Sequence, residues 1–416
     1  QNITDVGHLL DTGEDRILKK AGALHLEPME VVETYTRSYF EDMDALNVLR
    51  PDISPRASGH IPEQIAMTRA LIEKGHAYVT EAGDVYFDVT TFPEYGKLSG
   101  RRLDELKGER EIIASEKRHP ADFALWRHAE PEHLMQWDSP WGKGFPGWHI
   151  ECSAMSMKYL GETFDIHGGG LENQFPHNEC EIAQAEALTG KPFARYWILT
   201  GSLTINGEKM SKSLGNFVSV KDALKQYPAG AIRYFILSGH YRSPVDYSDE
   251  ALEAAQAGWE RLMIGYQRVR YEMKSAPESD AGSGFEAVLE EYRQRFREAM
   301  DDDFNTPQAI AVLQDMTREV NTLLDQSETV GRPILGAIES LYRELGGQVL
   351  GFIPDRLVIR ADLEEADPLI ELLIKIRAEA RKNRDFSLAD AIRDALNRVG
   401  IVLEDRPDGT TFYRLR

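Results

Sequence analysis

The chain has 416 residues, of which 42% are hydrophobic and 28% charged, and its formal net charge is −21. That balance excludes a disordered or fibrous chain and indicates a soluble globular protein of two or three domains. No apolar run reaches bilayer-spanning length and no signal peptide opens the chain, which excludes a membrane location. Two cysteines, Cys152 and Cys180, argue against a disulfide scaffold and for a reducing, cytoplasmic compartment. The acidic surplus opposes nonspecific nucleic-acid binding, so any nucleic-acid partner has to be met through local basic patches.

In chain order, Gln1–Asp5 is expected as the end of a buried strand. No initiator Met precedes it, which suggests a missing first element. Gly13–Ala23 holds a turn and a short helix. Apolar spacing predicts helices over Pro28–Leu46 and Ile61–Lys74, and His76–Val89 alternates like a strand pair around Ala82-Gly83-Asp84. A Gly/Pro/Trp-rich stretch, Trp137–Trp148, precedes a helix over Ile150–Leu160. Thr163–His167 is a short apolar strand running into Gly168-Gly169-Gly170; Pro176–Leu188 is helical, Tyr196–Leu203 a strand, and Lys209–Asn216 a loop. From Val218 the pattern is nearly all helical: a connection at Lys274–Gly284, a bundle over Phe285–Leu350, a second connection at Pro354–Asp367, and a helix pair at Pro368–Arg381 and Leu388–Val399. Ile401–Leu403 and Thr410–Tyr413 flank Pro407-Asp408-Gly409, a hairpin signal.

Three features carry chemistry. His177 and Glu181 lie four apart on an expected helix and share a face; with Cys152 they offer thiolate, imidazole and carboxylate, all ordinary zinc donors. Spacing leaves open the plainer reading of Cys152 as a small core residue and His177 as a histidine at a helix start. Cys180, three residues after His177, is a further candidate by spacing. Helix geometry places it on one flank of the His177–Glu181 pair. The Gly168–Gly170 run lets a ligand approach the backbone closely, or is only a turn. Lys209-Met210-Ser211-Lys212-Ser213 between Gly207 and Gly215 suits a loop that closes on phosphates, or a solvated surface loop.

The string KMSKS at Lys209–Ser213 resembles the second signature of class I aminoacyl-tRNA synthetases. PGWHIECSAM (Pro146–Met155), FDIHGGG (Phe164–Gly170) and FPHNECEIAQ (Phe175–Gln184) are similar to the cysteine–tRNA ligases in particular. NITD (Asn2–Asp5), SPWG (Ser139–Gly142), SGHYRS (Ser238–Ser243), DDDFNTP (Asp301–Pro307) and the closing Gly400–Asp405 fit the same family. The resemblance runs from end to end. It implies an α/β fold: a class I synthetase Rossmann-like core, N-terminally incomplete and interrupted by a connective insertion. A helical bundle and a small C-terminal α+β anticodon-binding domain follow.

The implied division is 1–27 for the remnant of the first core half, 28–137 for the insertion and 138–203 for the second core half. Residues 204–275 would hold the KMSKS loop and stem-contact region, 276–355 the bundle and 356–416 the anticodon-binding domain. Asn2–Thr4 and Thr163–His167 are expected as neighbours in one parallel sheet. By the same resemblance Cys152, His177 and Glu181 match zinc ligands, and Trp148 and Thr4 match positions near the substrate cysteine. His167 with Gly168, Gly169 and Gly170 matches the adenylate pocket, and Glu172 stands where the family binds ribose. Lys209 and Lys212 match the ATP-contacting loop. One zinc ion, ATP with Mg2+, L-cysteine and tRNA(Cys) are the implied cofactor, substrates and partner, and a monomer the implied state.

The family's HIGH motif and a further zinc-binding cysteine do not occur in the chain, and Leu171, Glu172, Asn178 and Cys180 depart from the common pattern. Two rivals follow: a truncated noncatalytic tRNA- or zinc-binding protein, and a mycothiol-pathway cysteine ligase. The second lacks an anticodon-reading end, so the helix pair and hairpin over Pro368–Tyr413 favour the tRNA enzyme.

Overall fold

The computed structural model describes residues 1–7, 16–105, 116–131, 133–210, 215–354, 363–398, 401–405 and 411–415. They fall into two compact units, Gln1–Pro354 and Asp355–Arg416.

In the first unit, α1 (Arg16–Leu24) and α2 (Pro28–Ala45) precede α3 (Ile61–Glu73). α2 begins where it does because Pro28 suits the first helical turn and Glu27 and Glu30 form a reciprocal cap. β1 (Ala77–Val79), β2 (Val85–Phe87), β3 (Phe123–His128) and β4 (Gly144–Pro146) make an antiparallel sheet in chain order. Then come α4 (Trp148–Leu160), β5 (Phe164–Gly170), α5 (Glu179–Thr189) and β6 (Ala194–Thr200). β5 and β6 pair in parallel, with α5 as the crossover that a parallel pair requires. One core joins Leu71, Val85, Phe87, Leu125, Trp126, Ile150 and Phe193, so the antiparallel sheet and the βαβ unit pack as one body.

β7 (Leu203–Ile205), β8 (Glu208–Lys209), α6 (Val220–Gln226), α7 (Ala229–Ser238) and β9 (Val245–Tyr247) follow, with β7 central between β8 and β9. Helices α8 (Asp249–Glu272), α9 (Phe285–Asp301), α10 (Thr306–Gln326) and α11 (Arg332–Tyr342) form the bundle. Leu252, Leu313, Met316, Val320, Ile338 and Tyr342 are buried in this helical part. Arg233 of α7 ties it to α2: its guanidinium donates to the carbonyls of Leu46 (3.0 Å), Asn47 (3.3 Å) and Leu350 (2.8 Å).

Several expectations change. Ile3 bridges in parallel to Arg56, with Ile3 N donating to Pro55 O (2.8 Å) and Ala57 N to Ile3 O (3.0 Å). Among the described residues it is not a ladder neighbour of β5. The three glycines are strand rather than turn, since Gly168, Gly169 and Gly170 pair with Ile198, Leu199 and Thr200; the β-branched and apolar partner supplies the ladder that glycine propensity alone would not. The helix expected from Pro176 follows a kink at Phe175 (φ −136°, ψ 131°); the turn through Asn178 is π-type and regular α-helix runs from Glu179. The strand expected over Tyr196–Leu203 breaks at Gly201, where a Cβ would lie 2.3 Å from the Ser243 carbonyl oxygen. β3 and β4 went unanticipated: β4 is Gly-Phe-Pro, too short to alternate. Gly13 of the expected turn and Ser211–Ser213 of the KMSKS loop lie outside the described residues.

In the second unit, α12 (Leu363–Lys382) starts before Pro368, α13 (Phe386–Arg398) follows, and β10 (Ile401–Asp405) pairs antiparallel with β11 (Thr411–Leu415). Asp405 joins helix to hairpin. It accepts two hydrogen bonds from the buried Arg377 guanidinium (2.8 and 2.9 Å), one from Arg381 (2.6 Å) and one from Thr411 Oγ1 (2.8 Å). The Arg377 hydrogen bond in particular holds its carboxyl well below the usual carboxylate range. A depressed pKa stabilises fully above the unfolded value, about 3.9, and its contribution is lost as pH falls through the folded value. Asp405→Asn is therefore expected to lower the stability of this unit at neutral pH by on the order of 1 kcal/mol, the discount reflecting a partly exposed carboxylate. It should also flatten the loss of stability below pH about 4. Thermal melts of wild type and variant across pH 2–7 check both.

Candidate active site

The site is built where α4 and α5 meet beside β5. α4 starts at Gly147, whose amide donates to Leu125 O (3.0 Å) and whose α-carbon lies hard against β3: a Cβ there would sit 1.9 Å from the Ala124 carbonyl oxygen. That contact sets the start of the helix carrying Trp148, His149 and Cys152. α5 is approached through the irregular turn Gln174–Asn178, which delivers His177 one turn ahead of Glu181.

Cys152 Sγ, one His177 ring nitrogen and one Glu181 carboxylate oxygen lie within 4.8 Å of one another, and His177 and Glu181 are buried. His177 Nε2 is 2.6 Å from Glu181 Oε1, and His167 Nε2 touches Glu181 Oε2 from the β5 side. Neither approach is a well-directed hydrogen bond, so both Glu181 oxygens are buried without one. The other His177 nitrogen, Nδ1, meets His149 Nδ1 at 2.8 Å. Asn2 Nδ2 donates to Cys152 Sγ (3.3 Å) and to Thr4 Oγ1 (3.2 Å), which brings Thr4 to this cluster through Asn2. Cys180 is fully buried, with its sulfur 3.5 Å from the Tyr95 hydroxyl on another side of α5.

Burial would raise the Glu181 pKa, yet the His167 and His177 imidazoles override it and bring it down to about 2. Desolvation, reinforced by the Glu181 and Glu151 carboxylates, pushes the Cys152 thiol well above its ordinary range. The trio is thus a thiol, an imidazole and an anion, with His177 and Glu181 buried and Cys152 partly so.

Trp148 is 43% exposed and its ring lies 4.3 Å from the His177 ring, forming a wall open to solvent. His167 stacks on Trp197 (4.5 Å between centroids, 17° between planes). At the end of β5, a Cβ on Gly168 would meet nothing closer than 3.8 Å, whereas one on Gly170 would strike Glu172 Oε2 at 2.6 Å. Glu172 Oε1 is 3.7 Å from Lys209 Nζ, and both side chains are half-exposed. Lys209 stands on a firm base. Asn206 (φ 53°) and Gly207 (φ 76°) form the tight left-handed turn of the β7–β8 hairpin. Asp246 of β9 accepts from Thr204 Oγ1 (2.6 Å) and Gly207 N (2.8 Å). Lys212 lies outside the described residues.

Sequence reading overlooked His149, Asn2 and Asp246. His149 adjoins Trp148 within a motif already singled out, but helical spacing gives no sign that its ring reaches His177. Asn2 and Asp246 act through long-range contacts that leave no local pattern.

The family pattern described as the tRNA synthetases class I (C) catalytic domain matches residues 1–257. A class I aminoacyl-tRNA synthetase fold thus carries this site, with a parallel βαβ unit followed by helical and C-terminal parts. Methionyl-tRNA synthetase of Mycobacterium tuberculosis, solved with methionyl-adenylate, shares it at TM-score 0.53 and 16% identity, over 81% of this chain and 79% of that one. A DALR domain matches 295–354 and a cysteinyl-tRNA ligase anticodon binding domain 363–414. The cysteine–tRNA ligase of Deinococcus radiodurans is 52% identical over 99% of this chain and 84% of its own length. That of Thermus thermophilus is 48% identical over 98% and 85%. The chain belongs to the cysteine–tRNA ligase family.

The close approach at Gly147 generates a prediction. Gly147→Ala sets a methyl against backbone that has no side-chain freedom to yield. It should cost on the order of 2–4 kcal/mol in denaturant unfolding.

Proposed function

We propose that this chain activates L-cysteine with ATP and passes it to tRNA(Cys), with Cys152, His177 and Glu181 holding a zinc ion that selects the substrate thiol. The observation that carries this reading is the convergence of those three donor atoms within 4.8 Å. The donor set fits zinc: sulfur, imidazole and carboxylate are its normal ligands. Glu181 is buried with an imidazole nitrogen at each oxygen, a carboxylate kept anionic where a cation would need it. When bound, the ion supplies a soft Lewis acid that prefers thiolate to hydroxyl, which separates cysteine from serine where shape alone discriminates poorly. Three protein ligands leave a position for a substrate sulfur.

The surrounding residues have supporting roles. His149 fixes the His177 ring through Nδ1, as partners of metal-bound histidines commonly do. Trp148 and Thr4 border the substrate cysteine, and His167 bridges the metal side to the Gly168–Gly170 floor on which the adenylate lies. Glu172 meets the ribose. Lys209 and Lys212 neutralise the departing pyrophosphate of Mg2+-bound ATP as the cysteine carboxylate attacks the α-phosphorus. No protein nucleophile is needed, so positioning and charge stabilisation carry the rate. The C-terminal unit reads the anticodon. We place the enzyme in the cytoplasm as a monomer; no helix among the described residues is long and apolar enough to cross a membrane.

Cysteine-dependent ATP–pyrophosphate exchange and charging of tRNA(Cys) test the function directly; absence of cysteine-dependent exchange, with serine and methionine as controls, rejects it. Lys209→Ala and Lys212→Ala should each slow exchange about a hundredfold while leaving cysteine binding near wild type. The two cysteines should separate cleanly. Cys152→Ser is expected to lose stoichiometric zinc on dialysis against a chelator. Cys180→Ala should keep it and lose only about 1 kcal/mol of packing, read by metal analysis beside thermal melts.

A further inference from the structure

Between the two helix-borne ligands, His177 and Glu181, stands another acid, Glu179, that faces away from them. It exposes none of its surface. Its carboxylate accepts from Gly96 N (3.1 Å), Ser99 N (2.6 Å) and Ser99 Oγ (2.9 Å), all in a loop between β2 and β3 that is distant in sequence. That loop is closed on itself: Gly96 has φ +98°, and a Cβ there would lie 2.0 Å from the Arg101 carbonyl oxygen. Only glycine fits, so the amides that receive the carboxylate form a preset anion cradle. The same loop grips the turn before α5. Gln174 Nε2 donates to Leu98 O (2.9 Å), and the Arg101 guanidinium lies over the Phe175 ring at 4.5 Å.

This grip matters because the helical turn carrying His177 and Glu181 begins at a kink. The backbone leaves helical geometry at Phe175, and Asn178 and Glu179 are helical again. His177 and Glu181 therefore share one turn, and the kink leaves open where that turn sits against Cys152. The Glu179 carboxylate seated in the cradle ties that turn to the 96–101 loop.

We propose that Glu179 is a positioning residue through which the 96–101 loop sets where the His177–Glu181 turn lies relative to Cys152, and so governs how tightly zinc is held. The proposal rests on the zinc reading above. It makes the segment between β2 and β3 a part of the metal site without contributing a ligand.

The test uses the full chain. Zinc transfer to a chromophoric chelator is timed for wild type, Glu179→Gln, Glu179→Asp and Ser99→Ala, beside thermal melts and separate KM values for cysteine and ATP. Glu179→Gln should release zinc about 10- to 100-fold faster, the usual effect of losing an outer partner of a ligand. Its KM for cysteine should rise while that for ATP stays near wild type. Glu179→Asp should recover part of the loss. Ser99→Ala removes one hydrogen bond from the same carboxylate, should move zinc release in the same direction by less, and decides the matter if Glu179→Gln fails to fold. Variants that melt lower yet release zinc at the wild-type rate overturn the proposal and leave Glu179 a purely structural acid. Wild-type protein that binds no zinc sinks the zinc reading itself, a separate outcome.

Discussion

Glu181 has no exposed surface, and an uncompensated carboxylate in such a place costs on the order of several kcal/mol. The catalytic half of the chain is arranged around answering that cost. Imidazoles approach from two directions, His177 from its own helix and His167 from β5. Their attraction outweighs desolvation and keeps the group anionic. The neighbouring thiol responds in the opposite sense and is held protonated by burial and by the same negative charge. A cation entering here reverses the local balance, since it favours thiolate and carboxylate together.

The demand propagates outward. Glu181 can meet His167 only if α5 lies across β5, and Cys152 can join them only if α4 starts at a fixed point. Gly147 fixes that start by packing without a side chain on β3. The antiparallel sheet therefore reaches the site through a backbone contact under α4, and the 96–101 loop reaches it through the Glu179 side chain. At the β7–β8 hairpin the logic is different. Asp246 and the left-handed pair Asn206-Gly207 stiffen its base, while Lys209 and Glu172 remain half-exposed and paired only loosely. Exposed ion pairs of that kind contribute little stability, so both side chains are free to change partners at small cost.

How much of this could be read from sequence depends on range. The His177–Glu181 pair was legible because a helix repeats every 3.6 residues, and Cys180 was placed off the site by the same arithmetic. The helices with clear apolar periodicity, α2, α3 and the bundle, were legible for that reason too. The glycine strand was not: Gly168–Gly170 carry no side-chain pattern, and their conformation comes from β6. Nor was the pairing of Ile3 with Arg56, which depends on a loop that no periodicity marks. The chemistry was named chiefly by resemblance to a family, because the spacing of Cys152, His177 and Glu181 alone suits a core as well as a metal. Their convergence is a property of three-dimensional packing that spacing does not show.

Charge poses the remaining physical question, since an enzyme for tRNA carries a formal −21. Much of its arginine is already engaged inside the protein. Arg233 is spent on three backbone carbonyls, Arg377 on Asp405 and Arg293 on Glu344. Arg377 and Arg293 have their charge answered by carboxylates, while Arg233 is partly buried and held by backbone. Long-range attraction, which falls within a Debye length of about 8 Å in physiological salt, then cannot draw any RNA indiscriminately to this surface. Binding has to come from short-range contacts that only a correctly shaped RNA completes, and affinity is traded for discrimination. For an enzyme that must charge one tRNA among many of the same charge and length, weak nonspecific attraction removes the competition that a basic surface would invite.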